Sequence, residues 1–230
     1  MQLSVEKQRQ ADLLYLILSG VFIASLVSCN LIFQKFFTWS PFGIYTFEIS
    51  VGILPYPITF LVTDIISEVY GRRKADNVVL AGLFASIFVL AVVMLANTAT
   101  ATTWSPVSNE EFTHVFGLTG VSVGASMAAY LIAQFVDIRV FHFFKKLNKG
   151  KHLWIRNNFS TLTSQWVDTL VVLLIMCGFG IIPWTLFGSL FVSGYLFKAI
   201  VALLDTPFFY ASVYLVQRHF GLKQGEEFDY

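Results

Sequence analysis

The run Val78–Ala96 contains no charged residue. A helical bilayer crossing needs about 20 mostly apolar residues, so this stretch alone commits the chain to a membrane-spanning helix. Five further stretches read the same way: Leu13–Phe37, Phe47–Tyr70, Val121–Phe144, Leu162–Ile182 and Leu186–Val216. Phe47–Tyr70 is broken by Pro55, Pro57, Asp64 and Glu68. Leu186–Val216 is over-long for one straight helix, so it is expected to tilt, to kink at Pro207, or to follow a re-entrant turn through Gly188–Gly194. The expected fold class is an all-α polytopic membrane protein with six transmembrane helices, residues 1–230 forming one domain.

Composition agrees with that reading. Hydrophobic residues make up 56% of the chain and charged residues 13%, and the mean hydropathy is +0.70, far from a soluble domain. A net charge of +1 speaks against nucleic acid as a partner. Met1–Asp12 is mixed in charge, and the apolar run after it is too long for a signal-peptide core. Cys29 and Cys177 supply neither a disulfide framework nor zinc spacing, and each is read as a small buried apolar residue.

Basic residues alternate cleanly between the two sides. Lys7 and Arg9 precede the first span. Arg72, Arg73 and Lys74 follow the second, Lys145, Lys146, Lys149, Lys151 and Arg156 follow the fourth, and Arg218 and Lys223 follow the sixth. The opposite loops hold only Lys35. By the positive-inside rule both termini are expected in the cytoplasm. The loop 97–120 is too long for a tight turn and is expected to form a partly ordered cap.

Charges inside such spans survive only in a polar cavity or in pairs. Asp64 and Glu68 share a helix face four residues apart. Glu68 either faces inward or pairs with Arg72, a further four residues on. Gln134-Phe-Val-Asp137 and Gln165-Trp-Val-Asp168 repeat an amide and a carboxylate at i, i+3, pointing to convergent polar groups in one pocket. Lys198 falls near mid-membrane, as the counter-ion of a carboxylate, with Asp205 on the same face. Asn30 is a further wall residue, and Arg139 snorkels to the boundary. Pro55 and Pro57 are expected to free the carbonyls of Val51 and Ile53, either to line a cavity or as a packing kink. The row Gly20, Ala24, Ser28 reads as an internal packing seam, with a subunit contact as the alternative.

Several chemistries find no support. There is no G-x-x-x-x-G-K-[ST] loop for ATP, no H-E-x-x-H, and no G-x-S-x-G elbow. The four histidines are scattered, so no metal is expected. Asp64 and Asp168 lack the signatures of an intramembrane aspartyl protease. The expectation is a transport protein and no enzyme.

The segment Tyr56-Pro-Ile-Thr-Phe-Leu-Val-Thr-Asp-Ile-Ile-Ser-Glu-Val-Tyr-Gly-Arg-Arg-Lys-Ala75 closely resembles the hallmark of the queuosine precursor transporter family. So do Ser28-Cys-Asn30, Ala125-Ser-Met-Ala-Ala-Tyr-Leu-Ile-Ala-Gln-Phe-Val-Asp137, Ser160-Thr-Leu-Thr-Ser-Gln-Trp-Val-Asp-Thr169 and Gly194-Tyr-Leu-Phe-Lys198. The resemblance implies a bacterial inner-membrane importer of 7-deazaguanine bases, such as the cyano and aminomethyl precursors of the tRNA nucleoside queuosine. It also implies a six-helix fold like the substrate-binding subunits of energy-coupling-factor vitamin transporters. The residues carried over are Asn30, Asp64, Gln134, Asp137, Gln165, Asp168 and Lys198, with Glu68 and Asp205 as secondary candidates. No cofactor is implied and no separate ATPase is expected. The alternative is a partner-dependent substrate-capture subunit for another vitamin-like solute. A homo-oligomer is left open.

Overall fold

A computed structural model of the chain describes residues 4–32, 35–40, 43, 46–116, 120–148, 152–180, 182–223 and 225–228. Lys149 and Lys151 lie outside the described residues.

Among the described residues, six helices are long and apolar enough to cross a membrane. In chain order the elements are α1 (Val5–Ile32), β1 (Phe36–Trp39), β2 (Phe47–Ser50), α2 (Tyr56–Val69), α3 (Arg72–Thr98), α4 (Asn109–Phe116), α5 (Gly120–Leu147), α6 (Leu153–Gly178) and α7 (Phe187–Phe220). α4 is the short helix in the loop 97–120 and accounts for its expected partial order.

The distribution of polarity is inverted relative to a soluble bundle. Phe84 and Leu95 on α3 are 71% and 72% exposed, while Glu68, Gln134, Asp137 and Arg156 are fully enclosed. Only a hydrocarbon surround makes that arrangement favourable. On α6 the enclosed side is a polar stripe, Arg156, Ser160, Ser164 and Asp168, spaced at helical intervals. On α2 the corresponding stripe is Thr59, Thr63 and Ser67 beside Asp64 and Glu68. Two of its hydroxyls are tied back to the helix, Thr59 Oγ1 donating to the Tyr56 carbonyl at 2.6 Å and Thr63 Oγ1 to the Thr59 carbonyl at 3.0 Å, as expected where water is excluded.

Helices α1, α2 and α3 share one apolar core through Phe22, Ile66, Val69 and Val79. The closest approach is at Gly82 on α3. A Cβ built there would sit 2.6 Å from Phe22 Cε1, so this glycine sets how near α1 and α3 come. The Gly20, Ala24, Ser28 row, by contrast, is exposed, and a Cβ at Gly20 would meet nothing within 4 Å. The expectation of an internal seam there is overturned.

Both termini lie at one end of the bundle, where Lys7 Nζ donates to the His219 carbonyl at 3.3 Å. This terminal end also holds the α2–α3 turn, built on Gly71 at φ 81°. The chain after α7 folds back on it: the Phe228 N–H donates to the Val69 carbonyl at 2.8 Å, and the Phe228 ring packs on Tyr70 and Phe220.

Span boundaries differ from the sequence reading, the third span being Arg72–Thr98 rather than Val78–Ala96. The first span is Val5–Ile32 rather than Leu13–Phe37, because Phe36 and Phe37 begin a strand. The second is discontinuous: β2 pairs antiparallel with β1, Phe36 opposite Ser50 and Trp39 opposite Phe47. A 3-10 turn, Val51–Ile53, then leads to α2. α2 has 14 residues and is about 21 Å long at 1.5 Å per residue, so hairpin and turn complete the crossing. Pro55 and Pro57 start this helix, where a missing N–H costs nothing. The Val51 carbonyl accepts from the Leu54 N–H at 3.1 Å, so it is not free as expected. The fifth span is Leu153–Gly178 rather than Leu162–Ile182. The sixth is one continuous α-helix, Phe187–Phe220, with Pro207 inside it and no re-entrant turn at Gly188–Gly194.

Candidate functional site

The polar interior is arranged in three layers along the bundle. At the terminal end, Arg156 of α6 forms an ion pair with Glu68 of α2, and both side chains are fully enclosed. Lys145 of α5 stands 3.5 Å from Glu68 Oε2, donates to the Glu68 carbonyl at 2.8 Å and reaches Glu227 Oε1 at 2.9 Å. The Arg156 guanidinium also lies 5.8 Å from the Phe141 ring centroid. Four elements, α2, α5, α6 and the segment after α7, are thereby cross-linked by charge. The alternative pairing of Glu68 with Arg72 does not form: Arg72 stands 3.5 Å from Asp76. Arg156, read from sequence as a loop cation, is a buried helix residue.

One turn further along α2 lies the second layer. Asp64 and Asp137 are 2% and 0% exposed, and their carboxyl groups face each other. Ser164 Oγ donates to Asp137 Oδ1 at 2.9 Å, and Thr161 Oγ1 donates to Asp64 Oδ2 at 3.3 Å. The other oxygen of each carboxyl, Asp64 Oδ1 and Asp137 Oδ2, has no donor among the described residues. Gln134 sits beside this pair, accepting from Thr63 Oγ1 at 3.2 Å and donating to Tyr130 Oη at 2.7 Å.

The third layer is a cavity of about 220 Å³ toward the far end, walled by Cys29, Asn30, Tyr56, Tyr130, Asp168 and Lys198 among others. It is smaller than the roughly 300–1,000 Å³ of drug-sized sites, a scale that suits one small heterocycle. The broken second span contributes Ser50, Gly52 and Ile53 to its wall, so irregular backbone at this depth does line a cavity. Above the cavity the hairpin packs Phe47 and Ile49 on Phe197 of α7. A smaller neighbouring cavity shares Tyr56 and Lys198 and adds Thr161, Gln165 and Asp205.

Lys198 forms an ion pair with Asp168, as the sequence pattern suggested for a deep lysine, and lies 5.1 Å from the Tyr56 ring centroid. Among the described residues, three polar atoms in the walls of the two cavities have no hydrogen-bond partner: Asn30 Nδ2, Tyr56 Oη and Gln165 Oε1. Buried polar atoms left unpaired cost roughly 1–3 kcal/mol each, so a ligand that pairs them gains that much selectivity. The site thus offers donors and an acceptor without partners among the described residues, a cation in Lys198, a carboxylate in Asp168, and aromatic faces from Tyr56 and Tyr130. It can hold a planar, polar, hydrogen-bonding molecule.

Of the sequence candidates, the structure gathers Asn30, Asp168 and Lys198 around the main cavity and Gln165 and Asp205 around the smaller one. Asp64, Asp137 and Gln134 stand behind the cavities, and Glu68 belongs to the ion cluster. Tyr56 and Tyr130 were missed as wall residues, although each lies within a motif singled out in the sequence. Arg156 and Lys145 were missed as partners of Glu68. No local signal marks them, since they lie 88 and 77 residues from Glu68.

The fold and this interior define a multi-pass helical membrane protein of the transporter class. Residues 50–212 match the family described as "Putative vitamin uptake transporter", and the chain belongs to that family. It is 30% identical over 165 residues to a protein of Bacillus subtilis named "Probable queuosine precursor transporter", covering 71% of each chain. A Haemophilus influenzae protein of the same name is 27% identical over 128 residues, 55% of this chain and 51% of that one. No solved structure matches.

Proposed function

We propose that the chain imports queuosine precursors, 7-deazaguanine bases such as 7-cyano-7-deazaguanine and 7-aminomethyl-7-deazaguanine, through the cavity between Asn30, Tyr56, Asp168 and Lys198. The observation that carries this reading is the set of groups without a hydrogen-bond partner among the described residues, Asn30 Nδ2 and Tyr56 Oη in the cavity that holds Asp168 and Gln165 Oε1 in the smaller cavity beside it. The names of the two relatives agree with it.

A guanine-like base carries two adjacent donors and a carbonyl on one edge. A carboxylate accepts both donors in a bidentate pair. Asp168 is the acceptor in this reading, while Lys198 or Asn30 Nδ2 donates to the carbonyl. The Tyr56 and Tyr130 faces border the ring. A base without those donors leaves Asp168 unmatched, which is how a polar site rejects near neighbours. Asp64, Asp137 and Gln134 act behind this contact set rather than within it.

Lys7, Arg72, Arg73, Lys74, Lys145 and Lys146 all belong to the terminal end. Under the positive-inside rule this supports a reading in which both termini are cytoplasmic, the membrane is a bacterial inner membrane and the cavity opens in the outer half. Residues 1–230 act as one transport domain, without a catalytic reaction, cofactor, nucleic acid or separate ATPase. The exposed Gly20, Ala24, Ser28 stripe leaves room for a homo-oligomer in the bilayer.

The test is queuosine formation in tRNA, in cells unable to make or import the precursor, with each base supplied at limiting concentration. Restoration by this chain alone supports the reading. No restoration, with the protein present in the membrane, refutes it in favour of a partner-dependent capture subunit or another solute.

A further inference from the structure

The Asp64–Asp137 pair has no place in base recognition as just described, yet it is two enclosed carboxyls set against each other. Two carboxylates in contact cannot both be ionised; one proton between them removes the repulsion and gives the donor-less oxygens a shared hydrogen bond. Both side chains are enclosed, and the oxygens that lack a donor, Asp64 Oδ1 and Asp137 Oδ2, are the unsatisfied atoms such a proton would serve. Ser164 and Thr161 hold the outer oxygens in place.

The pair is connected to the cavities in two ways. Thr161, which donates to Asp64, also lines the smaller cavity beside Lys198. Tyr130, in the wall of the main cavity, is hydrogen-bonded to Gln134, and Gln134 to Thr63, the residue before Asp64. Gln134 also lies one turn before Asp137 on α5. Tyr130, Gln134 and Thr63 thus form a hydrogen-bonded chain from the cavity wall to the helix positions that carry the pair.

The other ionisable and charged groups around it are Tyr56 and Glu68 on α2, Tyr130 and Lys145 on α5, Arg156 and Asp168 on α6, and Lys198 and Asp205 on α7. Glu68 is neutralised by Arg156 and Lys145, and Asp168 by Lys198. Over 13–32 of α1 and 77–98 of α3 the sequence has no Asp, Glu, Lys or Arg. At this depth the pair is thus left as the one carboxyl cluster without a cation among the described residues.

We propose that the Asp64–Asp137 pair is a proton-binding site and that import of the base is coupled to one proton passing through it, which makes the protein a proton symporter. The proposal rests on the transport reading above. The proton comes from the cavity side onto the pair and leaves at the terminal end; with an uncharged base, one positive charge crosses per cycle. The Glu68–Arg156–Lys145–Glu227 cluster is the barrier it must pass when the terminal end opens.

The experiment uses the full chain in proteoliposomes with radiolabelled 7-cyano-7-deazaguanine. Counterflow without a gradient is measured first; none in the wild type would refute the transport reading and the proposal with it. Given counterflow, an outside one pH unit more acid should drive about tenfold accumulation at one proton per base, and an internal pH dye should report acidification on adding base. Asp64→Asn and Asp137→Asn should each lose that accumulation, with base-dependent thermal stabilisation confirming a folded variant. Equal uptake with and without the gradient would overturn the proposal. So would accumulation driven by a sodium gradient instead, or full coupling retained in both asparagine variants.

Discussion

Arg156 on α6 and Glu68 on α2 form an ion pair from which solvent is wholly excluded, and it closes the terminal end beneath the cavity. Removing one partner of such a pair strands the other charge and costs about 3–5 kcal/mol. Glu68→Gln and Arg156→Met are each expected to lower the Tm of the detergent-solubilised protein sharply. The joint replacement of both by leucine should recover most of the loss. A Tm unchanged by either single substitution would show that the pair carries no such role.

Asp168 and Lys198 are the groups on which base selectivity is placed. A charge-assisted hydrogen bond is worth about 1.5–3 kcal/mol, so Asp168→Asn should weaken binding of a 7-deazaguanine base by about ten- to a hundredfold. Membrane expression should be unaffected. Lys198→Arg should not restore the wild-type affinity, because the fork of a guanidinium does not fit where an ammonium meets a single carboxylate oxygen. Titration by thermal shift or by uptake at graded base concentrations reads both. Wild-type affinity in Asp168→Asn would remove Asp168 from the site.

Gly82 and Gly20 offer a matched pair. Gly82→Ala drives a methyl to 2.6 Å from Phe22 Cε1 and should lower stability by about 1–3 kcal/mol, as overpacking does. Gly20→Ala, with open space around it, should be neutral or raise stability by up to about 1 kcal/mol through helix propensity. Tm values for the two variants check the contrast; a strong loss at Gly20 would indicate a neighbour in the membrane.

Gly71 combines a positive φ of 81° with a Cβ position that would clash with the Glu227 carboxylate. Gly71→Ala is expected to strain the α2–α3 turn and displace the segment that carries Glu227 and Phe228. Limited proteolysis should then cleave after α7 faster than in the wild type, and an unchanged rate would contradict the docking described here.

α4 is held by a reciprocal cap. The Ser108 N–H and Oγ each lie 2.8 Å from Glu111 Oε2, and the Glu111 N–H donates to Ser108 Oγ at 3.2 Å. The Ser108 backbone N–H first, and its hydroxyl second, hold the Glu111 carboxyl below its ordinary range. A depressed carboxyl stabilises the folded form fully above its unfolded pKa, and that contribution is lost as pH falls through the lower folded value. Amide exchange in α4 should therefore be slow at neutral pH and speed up, relative to its intrinsic rate, only in acid below the usual glutamate range. Glu111→Gln should abolish that pH dependence.

Local composition carries much of the fold. Val78–Ala96 is a span because it is long, apolar and free of charge, and the alternation of Arg72, Arg73 and Lys74 with basic-poor loops reads directly. The β1–β2 hairpin was not recognised, although Phe36–Trp39 and Phe47–Ser50 are rich in aromatic and β-branched residues and flank Pro41 and Gly43. An apolar run of that length looks the same to a hydropathy scan whether it is extended or helical. The start of α6 was misplaced for a related reason: Arg156, Asn157 and Asn158 look like loop residues until their partners are seen.

By itself the sequence determined that the chain lies in a membrane, in six crossings, with Asn30, Gln165, Asp168 and Lys198 as interior polar groups, because each such side chain is intolerable in hydrocarbon unless it is paired or lines a cavity. Which group meets which was decided only by the tertiary structure. Asp64 faces Asp137 on another helix, Glu68 takes Arg156 rather than Arg72, and Lys198 takes Asp168. Helix periodicity fixes the face on which a charge stands but not the partner helix brought against it, and that choice belongs to packing across distant segments.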